Sequence, residues 1–362
     1  MTARGACERC VARSWLLARL AGHLEPVRQR IEQLLGLADQ DLIAAVGGEQ
    51  RDTVARELER FDVVQARARC AASGLEQICR CESAYPASLA ALESAPAVLH
   101  VAGGLERFLD LVQGEPVALV GARQASPYGL QVAGSLARGL GAAGITVLSG
   151  MAIGIDSAAH AGALDVGAPT VAVLAGGAER PYPASKRALH RRIQAGGAVV
   201  SELPPGVAPR RWMFPARNRI IAGLSAMTVV IEARRGSGAL LTAAAAHGLQ
   251  RAVGAVPGRI TSPLAWGPNE LLSVGAQLVR GPQDVLDCLF GAGARVAPGD
   301  ATRPDLRPEL RALLQALGDG HDAASALIKA GFAVDHGLAA LASLELGGYL
   351  RREAGGRFSV IP

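Results

Sequence analysis

The chain has 362 residues, of which 50% are hydrophobic and 19% charged, and this composition excludes an intrinsically disordered protein. Its length allows two or three domains, each with its own core. The chain contains no apolar run long enough to cross a membrane, and the opening residues MTARGACERC include no hydrophobic signal segment, so we expect a cytoplasmic protein with no membrane association.

The net charge of +5 is concentrated in one part of the chain. Between Arg180 and Arg235 there are eleven Lys or Arg residues and only two acids, Glu202 and Glu232, so this segment carries +9 and the remainder −4. A positive segment on an acidic body is typical of a protein that binds a polyanion. A solvated, arginine-rich surface would give the same count.

Six cysteines in a chain of this length indicate reduced thiols rather than a disulfide framework. Cys7 and Cys10, together with Cys79 and Cys81, could supply four zinc ligands if the N-terminal segment folded back on itself. A separation of about 70 residues is unlike a compact zinc ribbon. We therefore predict ordinary thiols and no metal site, and leave open whether these four cysteines bind a metal.

Residues 1–83 are predicted to form a small N-terminal helical domain. Trp15, Leu16, Leu20 and Leu24 recur at helical spacing, which more often marks a packed core than a nucleic-acid contact. Residues 84–104 are rich in proline and glycine, and we interpret them as an extended segment that leads into the next domain.

Residues 84–290 are predicted to form a Rossmann-like α/β domain. Short apolar runs alternate with glycine-rich turns and helical stretches, which is typical of a mostly parallel sheet with helices on both faces. The predicted strands are Val117–Val120, Thr146–Leu148, Val171–Leu174, Ala198–Ser201, Thr228–Glu232 and Ala252–Ala255. Ligands of such sheets bind beyond the carboxyl ends of the strands.

The loops after the first two of these strands carry candidate phosphate-binding groups: Arg123 follows the first, and Gly150, Ala152 and Gly154 follow the second. Glycines allow a close approach to the backbone, and the helix behind each loop presents free N–H groups. Arg123 occupies the second-glycine position of a dinucleotide fingerprint, and no acid closes the second strand, so nicotinamide binding is not expected.

The segment from Phe214 to Ser225 is the strongest candidate for an anion-binding crevice. Arg217 and Arg219 flank Asn218 just before an apolar run, and guanidinium groups suit phosphate oxygens. A basic, glycine-rich turn with Ser237 and Gly238 follows the next strand. Glu232 could orient one of the arginines, and Trp212 and Phe214 are candidate stacking surfaces.

Residues 291–305 are predicted to be a linker, and residues 306–362 a winged-helix domain of three helices and a β-hairpin. Its third helix, Asp335–Leu346, contains no Arg or Lys, unlike a helix that reads duplex DNA in the major groove. We therefore expect this module to have a protein-contact or packing role.

Several linked motifs, in order, resemble those of the DNA-processing protein A family (DprA, also called Smf), and the similarity covers nearly the whole chain. The matching segments are Val120–Arg123, Ser149–Asp156 with Ala159 and His160, Phe214–Ser225, Ser237–Thr242, Val256–Gly258 and Gly275–Ala276. The chain differs from the family pattern at Lys186, where an asparagine is usual, and at Pro268, where a cysteine is common.

The resemblance implies a protein that binds single-stranded DNA, forms a homodimer and loads the RecA recombinase onto the strand during natural transformation. It also implies no enzyme activity, no catalytic residue and no cofactor, and an N-terminal domain of the SAM or helix-hairpin-helix kind. The DNA-binding residues implied are Arg123, Gly150, Ala152, Gly154, Phe214, Arg217, Asn218, Arg219, Ser237 and Gly238, and Lys186 adds positive charge to the same groove.

An enzyme of a different class is the alternative, namely a nucleotide phosphoribohydrolase built on a similar sheet. Such enzymes carry a glycine-rich loop with a glutamate that assists glycosidic cleavage. The corresponding turn here, Gly236–Thr242, contains no acid. His160 and His247 both lie in alanine-rich helical stretches, where packing is more common than acid–base chemistry.

Overall fold

The computed structural model describes residues 5–297, 306–332, 334–347, 349–352 and 358–360. The chain divides into two compact units, one ending at Arg295 and one beginning at Val296. The predicted linker, 291–305, spans this division, and its residues 298–305 lie outside the described residues. None of the described helices is long and apolar enough to cross a membrane.

The first unit begins with six helices, α1 (Glu8–Arg19), α2 (Ala21–Leu24), α3 (Ile31–Gly36), α4 (Asp39–Val46), α5 (Arg51–Glu59) and α6 (Val63–Ala72). Short 3-10 turns lie at Arg28–Arg30 and Gly48–Gln50.

Strands and helices then alternate, as β1 (Glu76–Cys79), α7 (Ala87–Ala90), β2 (Val98–Ala102), α8 (Leu105–Gln113), β3 (Val117–Val120), α9 (Pro127–Ala142), β4 (Val147–Ser149), α10 (Ile155–Asp165), β5 (Thr170–Val173), α11 (Arg187–Gly196), β6 (Ala198–Ser201), α12 (Met213–Leu224), β7 (Met227–Val230), α13 (Gly238–Gly248), β8 (Ala252–Ala255), α14 (Trp266–Ser273), β9 (Gln277–Leu278) and α15 (Pro282–Phe290). A third 3-10 turn covers Ala184–Lys186.

One nine-stranded sheet organises this unit, in the order β1-β2-β6-β5-β4-β3-β7-β8-β9. Strands β3 to β9 pair in parallel, whereas β2 runs antiparallel to both β1 and β6. The predicted α/β fold with a mostly parallel sheet is confirmed. The prediction of helix and extended chain up to residue 104 is wrong in part, because β1 and β2 belong to the sheet.

The N-terminal helices and the sheet share a hydrophobic core. Trp212, just before α12, is 1% exposed, and its indole N–H donates to the carbonyl oxygen of Ala21 at 3.0 Å. Leu16 of α1 and Leu20, which directly follows α1, belong to the same buried cluster as Trp212 and Met213. Trp212 is therefore a core residue, and its predicted role as a stacking surface for bases is wrong.

Strand β1 returns the chain to the start of α1. Cys7, Cys10, Cys79 and Cys81, which we expected to be separate thiols, consequently meet with their sulfur atoms all within 4.8 Å of one another. A sequence separation of about 70 residues is bridged because β1 forms the edge of the sheet on which α1 packs.

The second unit contains α16 (Pro308–Gly318), α17 (Ala323–Lys329) and α18 (Val334–Leu346), followed by an antiparallel pair, β10 (Leu350–Arg352) and β11 (Phe358–Val360). Leu313 and Leu344 are fully buried in its core. The turn of the predicted hairpin, residues 353–357, lies outside the described residues.

Candidate nucleic-acid interface

A cleft of about 470 Å³ opens at the carboxyl ends of β3 and β7. The chain after β3 first builds the sheet on one side, through β4 to β6, and then returns to add β7 on the other side. The cleft thus lies at the topological switch point, where open α/β sheets bind their ligands. Its walls come from the loop after β3, the first turns of α12 and the loop between β7 and α13.

Residues Met213–Leu224, whose sequence we read only as a candidate anion-binding segment, form helix α12. The helix begins at Met213, and Pro215 is accommodated in its first turn, where no intrahelical N–H bond is required. Phe214, Arg217 and Asn218 line the cleft, whereas Arg219 does not.

The Phe214 ring contacts both a cation and a second aromatic ring. The guanidinium carbon of Arg123 is 4.7 Å from the centroid of the Phe214 ring, within cation–π range. The rings of Tyr182 and Phe214 have centroids 5.7 Å apart and are tilted by 51°. Tyr182 is 46% exposed and Arg123 is also exposed, so this stack offers both an aromatic and a cationic surface to solvent.

Arg217 lies deeper, beneath this stack, and is 9% exposed. Its Nη1 donates to the carbonyl oxygens of Gly150 at 2.5 Å and Val173 at 3.2 Å, which are at the carboxyl ends of β4 and β5. Its Nε has no hydrogen-bond partner among the described residues. Burial lowers the pKa of Arg217, and the negative charge of Asp156 acts in the opposite direction.

The loop after β4 is wrapped around the carboxylate of Asp156. The backbone N–H groups of Gly150 and Ala152 donate to its Oδ2 at 3.2 and 3.3 Å. Burial raises the pKa of Asp156, while the charge of Arg217 and these backbone bonds act to lower it. Our expectation that this loop presents free amides to phosphate is therefore wrong for Gly150 and Ala152, because an internal anion already accepts those bonds.

Gly154 keeps the loops after β3 and β4 in contact. Its φ of +88° is a conformation that residues with a side chain rarely adopt. A Cβ at this position would also collide with the carbonyl oxygens of Ala122 and Arg123. Gly154 is thus required for loop packing and for the placement of Arg123.

Ser237 and Gly238 begin α13 at the far wall of the cleft. The Ser237 hydroxyl caps the helix by accepting from the N–H of Ala239 at 3.4 Å, and Gly238 is exposed. The side-chain amide of Asn218 donates to the Gly238 carbonyl oxygen at 3.1 Å, so it ties α12 to this turn. The positive end of α13 adds to the field of the arginines.

Arg219 points away from the cleft and is only 4% exposed. Its Nη2 lies 2.7 Å from the Glu202 carboxylate, its Nη1 donates to Ala216, and its Nε donates to both oxygens of Ser94. The expectation that Arg219 contacts DNA is therefore wrong in this structure, since its hydrogen bonds all go to the protein interior.

The acid that orients Arg219 is Glu202, not Glu232. The Glu232 carboxylate instead accepts from the backbone N–H of Ser126 at 2.8 Å and from its hydroxyl, at the N-terminus of α9. Lys186, in a 3-10 turn after Pro183, is not among the residues that line the cleft.

Two arginines of the cleft were in the basic turn but outside the predicted set of contacts. Arg234 and Arg235 are exposed and line the cleft mouth, and Arg235 lies 5.5 Å from the centroid of the Trp266 ring. Arg235 and Trp266 repeat the pairing of Arg123 and Phe214 on the other side. The signal for Arg234 and Arg235 was their position directly after a strand.

His160 is unsuited to proton transfer. It is fully buried, its Nδ1 is 2.8 Å from the Thr170 hydroxyl, and burial lowers its pKa to about 3.

The cleft as a whole combines exposed guanidinium groups, aromatic rings and a helix N-terminus. This arrangement is suited to holding a polyanion.

Comparison with known proteins identifies the family. Residues 76–290, more than half of the chain, match the family described as DNA recombination-mediator protein A. The chain belongs to this family. A relative from Mycobacterium tuberculosis is 46% identical to this family member over 196 residues, or 54% of this chain. The chain spans half the length of that mycobacterial relative.

Two solved structures of DNA processing protein A are similar to the structure of this protein. The protein from Streptococcus pneumoniae is 32% identical with a TM-score of 0.62, and the match covers 76% of this chain and 95% of that one. The protein from Helicobacter pylori, described for its single-stranded DNA binding mode, is 27% identical with a TM-score of 0.53 over 60% of this chain and 97% of that one.

Proposed function

We propose that this protein binds the sugar-phosphate backbone of single-stranded DNA in the cleft at the carboxyl ends of β3 and β7. The observation that carries the proposal is the stack of Arg123 on Phe214 at the switch point of the sheet. A single strand offers both phosphates and unpaired bases, and this stack presents a partner for each. The single-stranded DNA binding described for the Helicobacter protein supports the same ligand.

The contacts fall into three groups. Exposed Arg123, Arg234 and Arg235 neutralise phosphates, and Lys186 extends the positive surface beyond the cleft. Phe214 and Tyr182 stack on bases without distinguishing them. Arg217, Asn218, Ser237 and Gly238 shape the walls of the cleft, and Gly150, Ala152 and Gly154 fix the loop after β4 that supports them.

The biological role we infer is that of a cytoplasmic recombination mediator rather than an enzyme. In this proposal a homodimer protects incoming single-stranded DNA and loads the RecA recombinase onto it during natural transformation. The three helices and strand pair after residue 306 are assigned to a winged-helix domain that contacts protein, because its α18 sequence from Asp335 onward contains no Arg or Lys. The helices that end at Ala72 act as its helical part, and the sheet and helices from β1 to α15 act as its Rossmann-like domain.

Fluorescence anisotropy with a labelled oligo-dT strand and a duplex of equal length, each titrated over a range of salt concentrations, tests the ligand. We expect the single strand to bind far more tightly, with an affinity that falls steeply with salt. Arg123→Ala should flatten the plot of log affinity against log salt by about 0.7, the slope expected for one lost single-strand phosphate contact. Arg192→Ala is the matched control, because Arg192 belongs to the same basic segment but pairs with Asp165 on the surface.

Equal affinity for the duplex, or equal effects of the two substitutions, would contradict the proposed site. Release of free base from nucleoside monophosphates would instead support the phosphoribohydrolase alternative.

A further inference from the structure

Four cysteine side chains converge at the edge of the sheet, outside the DNA cleft. Cys7 is the N-cap residue of α1, and Cys10 lies in the first turn of that helix. Cys79 ends β1, and Cys81 lies in the turn that follows it. Strand β1 is the first in the sheet order and is separated from β3 by four other strands, so this cluster is distinct from the proposed DNA interface.

The spacing of the sulfur atoms fits the coordination shell of one ion. A Zn–S bond of about 2.3 Å in a tetrahedral site places neighbouring sulfurs about 3.8 Å apart. The Sγ atoms of Cys10 and Cys81 are 3.7 Å apart, and all four sulfurs lie within 4.8 Å of one another. A cluster of two irons would hold its thiolate pairs on separate metals and spread them further. The geometry therefore favours a mononuclear site.

The backbone supports the four ligands as it does in built metal sites. The N–H of Cys7 points at the Cys79 sulfur from 3.3 Å, which stabilises negative charge on that sulfur. The Cys79 N–H donates to the Glu82 carboxylate at 2.8 Å and holds the turn that presents Cys81. Arg67 donates to the carbonyl oxygen of Ala6, directly before Cys7. Each arm of the cluster is thus fixed by contacts outside it.

We propose that Cys7, Cys10, Cys79 and Cys81 bind one structural Zn²⁺ ion as four thiolates. Four sulfur ligands in tetrahedral reach select zinc among the common divalent cations, and four protein ligands leave no open position for catalysis. On binding, each thiol that is protonated releases its proton to solvent as its sulfur takes up the metal.

The ion would fasten the N-terminal helices to the sheet. It closes a loop of about 70 residues, and closing a loop of that length removes much conformational freedom from the unfolded chain. Helix α1 continues from the cluster to Ser14, whose hydroxyl lies 2.9 Å from His100 of β2 and donates to the carbonyl oxygen of Glu202. Zinc at the start of α1 thus stabilises the same docking that these bonds make.

Metal analysis of the full-length protein, purified without a metal-affinity column, tests the site. We expect one zinc per chain in the wild type and in Cys288→Ser, which removes an exposed cysteine outside the cluster. Cys81→Ser changes the exposed member of the cluster, so it is the variant least disruptive to packing, and it should lose most of the bound zinc. Chelation should lower the Tm of the wild type and leave that of Cys81→Ser nearly unchanged.

Replacement with Co²⁺ gives a readout that does not depend on stability. Four thiolates around Co²⁺ produce intense visible absorption, which Cys81→Ser should weaken while Cys288→Ser retains it. The proposal is overturned if reduced wild type binds Co²⁺ no better than Cys81→Ser, if the bound metal is iron with sulfide, or if the four cysteines form disulfides in protein purified under reducing conditions. Single-stranded DNA affinity is measured in parallel and does not decide this result.

Discussion

Two groups of arginines, on the rim of the cleft and within α12, show opposite uses of the same side chain. Arg123, Arg234 and Arg235 are exposed, and two of them lie over aromatic rings. Arg217 and Arg219 are at most 9% exposed and bind carbonyl oxygens and a carboxylate inside the fold. The comparison shows that not every basic residue in a basic segment marks a binding surface, because some of them stabilise the fold.

Arg219→Ala should produce the largest change in stability. It leaves the Glu202 carboxylate buried without its cation, and loss of one partner of a buried pair costs about 3–5 kcal/mol. Urea unfolding of the variant checks this value, with Arg192→Ala, which breaks a half-exposed surface pair, as the control expected to cost about 1 kcal/mol or less. A stable Arg219→Ala protein that has lost DNA affinity would reverse the assignment of Arg219.

Phe214→Leu should weaken DNA binding without unfolding the protein. The substitution keeps an apolar side chain but removes the ring, and loss of one stacked base costs about 1–3 kcal/mol of binding free energy. Phe290→Leu is the matched control, because Phe290 is also half-buried under an arginine, Arg295, but lies on α15. If anisotropy gives both variants the same affinity, Phe214 is not a base platform.

Acid should destabilise the folded protein through two buried histidines, His160 on α10 and His100 on β2. Burial lowers the pKa of His160 and of His100 to about 3, so below their ordinary value of about 6.5 only the unfolded chain takes up these protons. Stability is therefore complete above that pH and falls toward pH 3 by about 1.4 kcal/mol per pH unit for each histidine. Urea unfolding at pH 7.5 and 5.5 should show a reduced loss in His160→Gln, and His247→Gln, at an exposed position, is the control. An equal loss in wild type and His160→Gln would contradict this account.

The interior of the sheet could be predicted from sequence, whereas its edge could not. Strands β3 to β8 are short apolar runs between glycine-rich turns, and each was predicted to within two residues. Strand β1 has the sequence EQIC, and β2 is interrupted by His100, so neither carries a clear strand pattern. Their pairing depends on a contact between distant parts of the chain, and so does the cysteine cluster beside them.

The opposite orientations of Arg217 and Arg219 on α12 could have been predicted from the helical repeat. Residues two positions apart in an α-helix lie about 200° apart around its axis, so Arg217 and Arg219 cannot face the same cleft. Only the residue types of this segment point to anion binding, whereas the helical repeat decides which arginine faces the cleft. That Glu202 rather than Glu232 pairs with Arg219 had no local signal, because the two partners are 17 residues apart in the chain.

The Asp156 carboxylate fixes the shape of the loop after β4 before any DNA binds. Because the backbone N–H groups of Gly150 and Ala152 donate to this carboxylate, the turn after β4 is ordered without a bound phosphate. In the proposed complex, the ordered loop would leave most of the entropy loss to the DNA rather than to the protein. Such a preformed site would bind and release DNA without a folding step of its own.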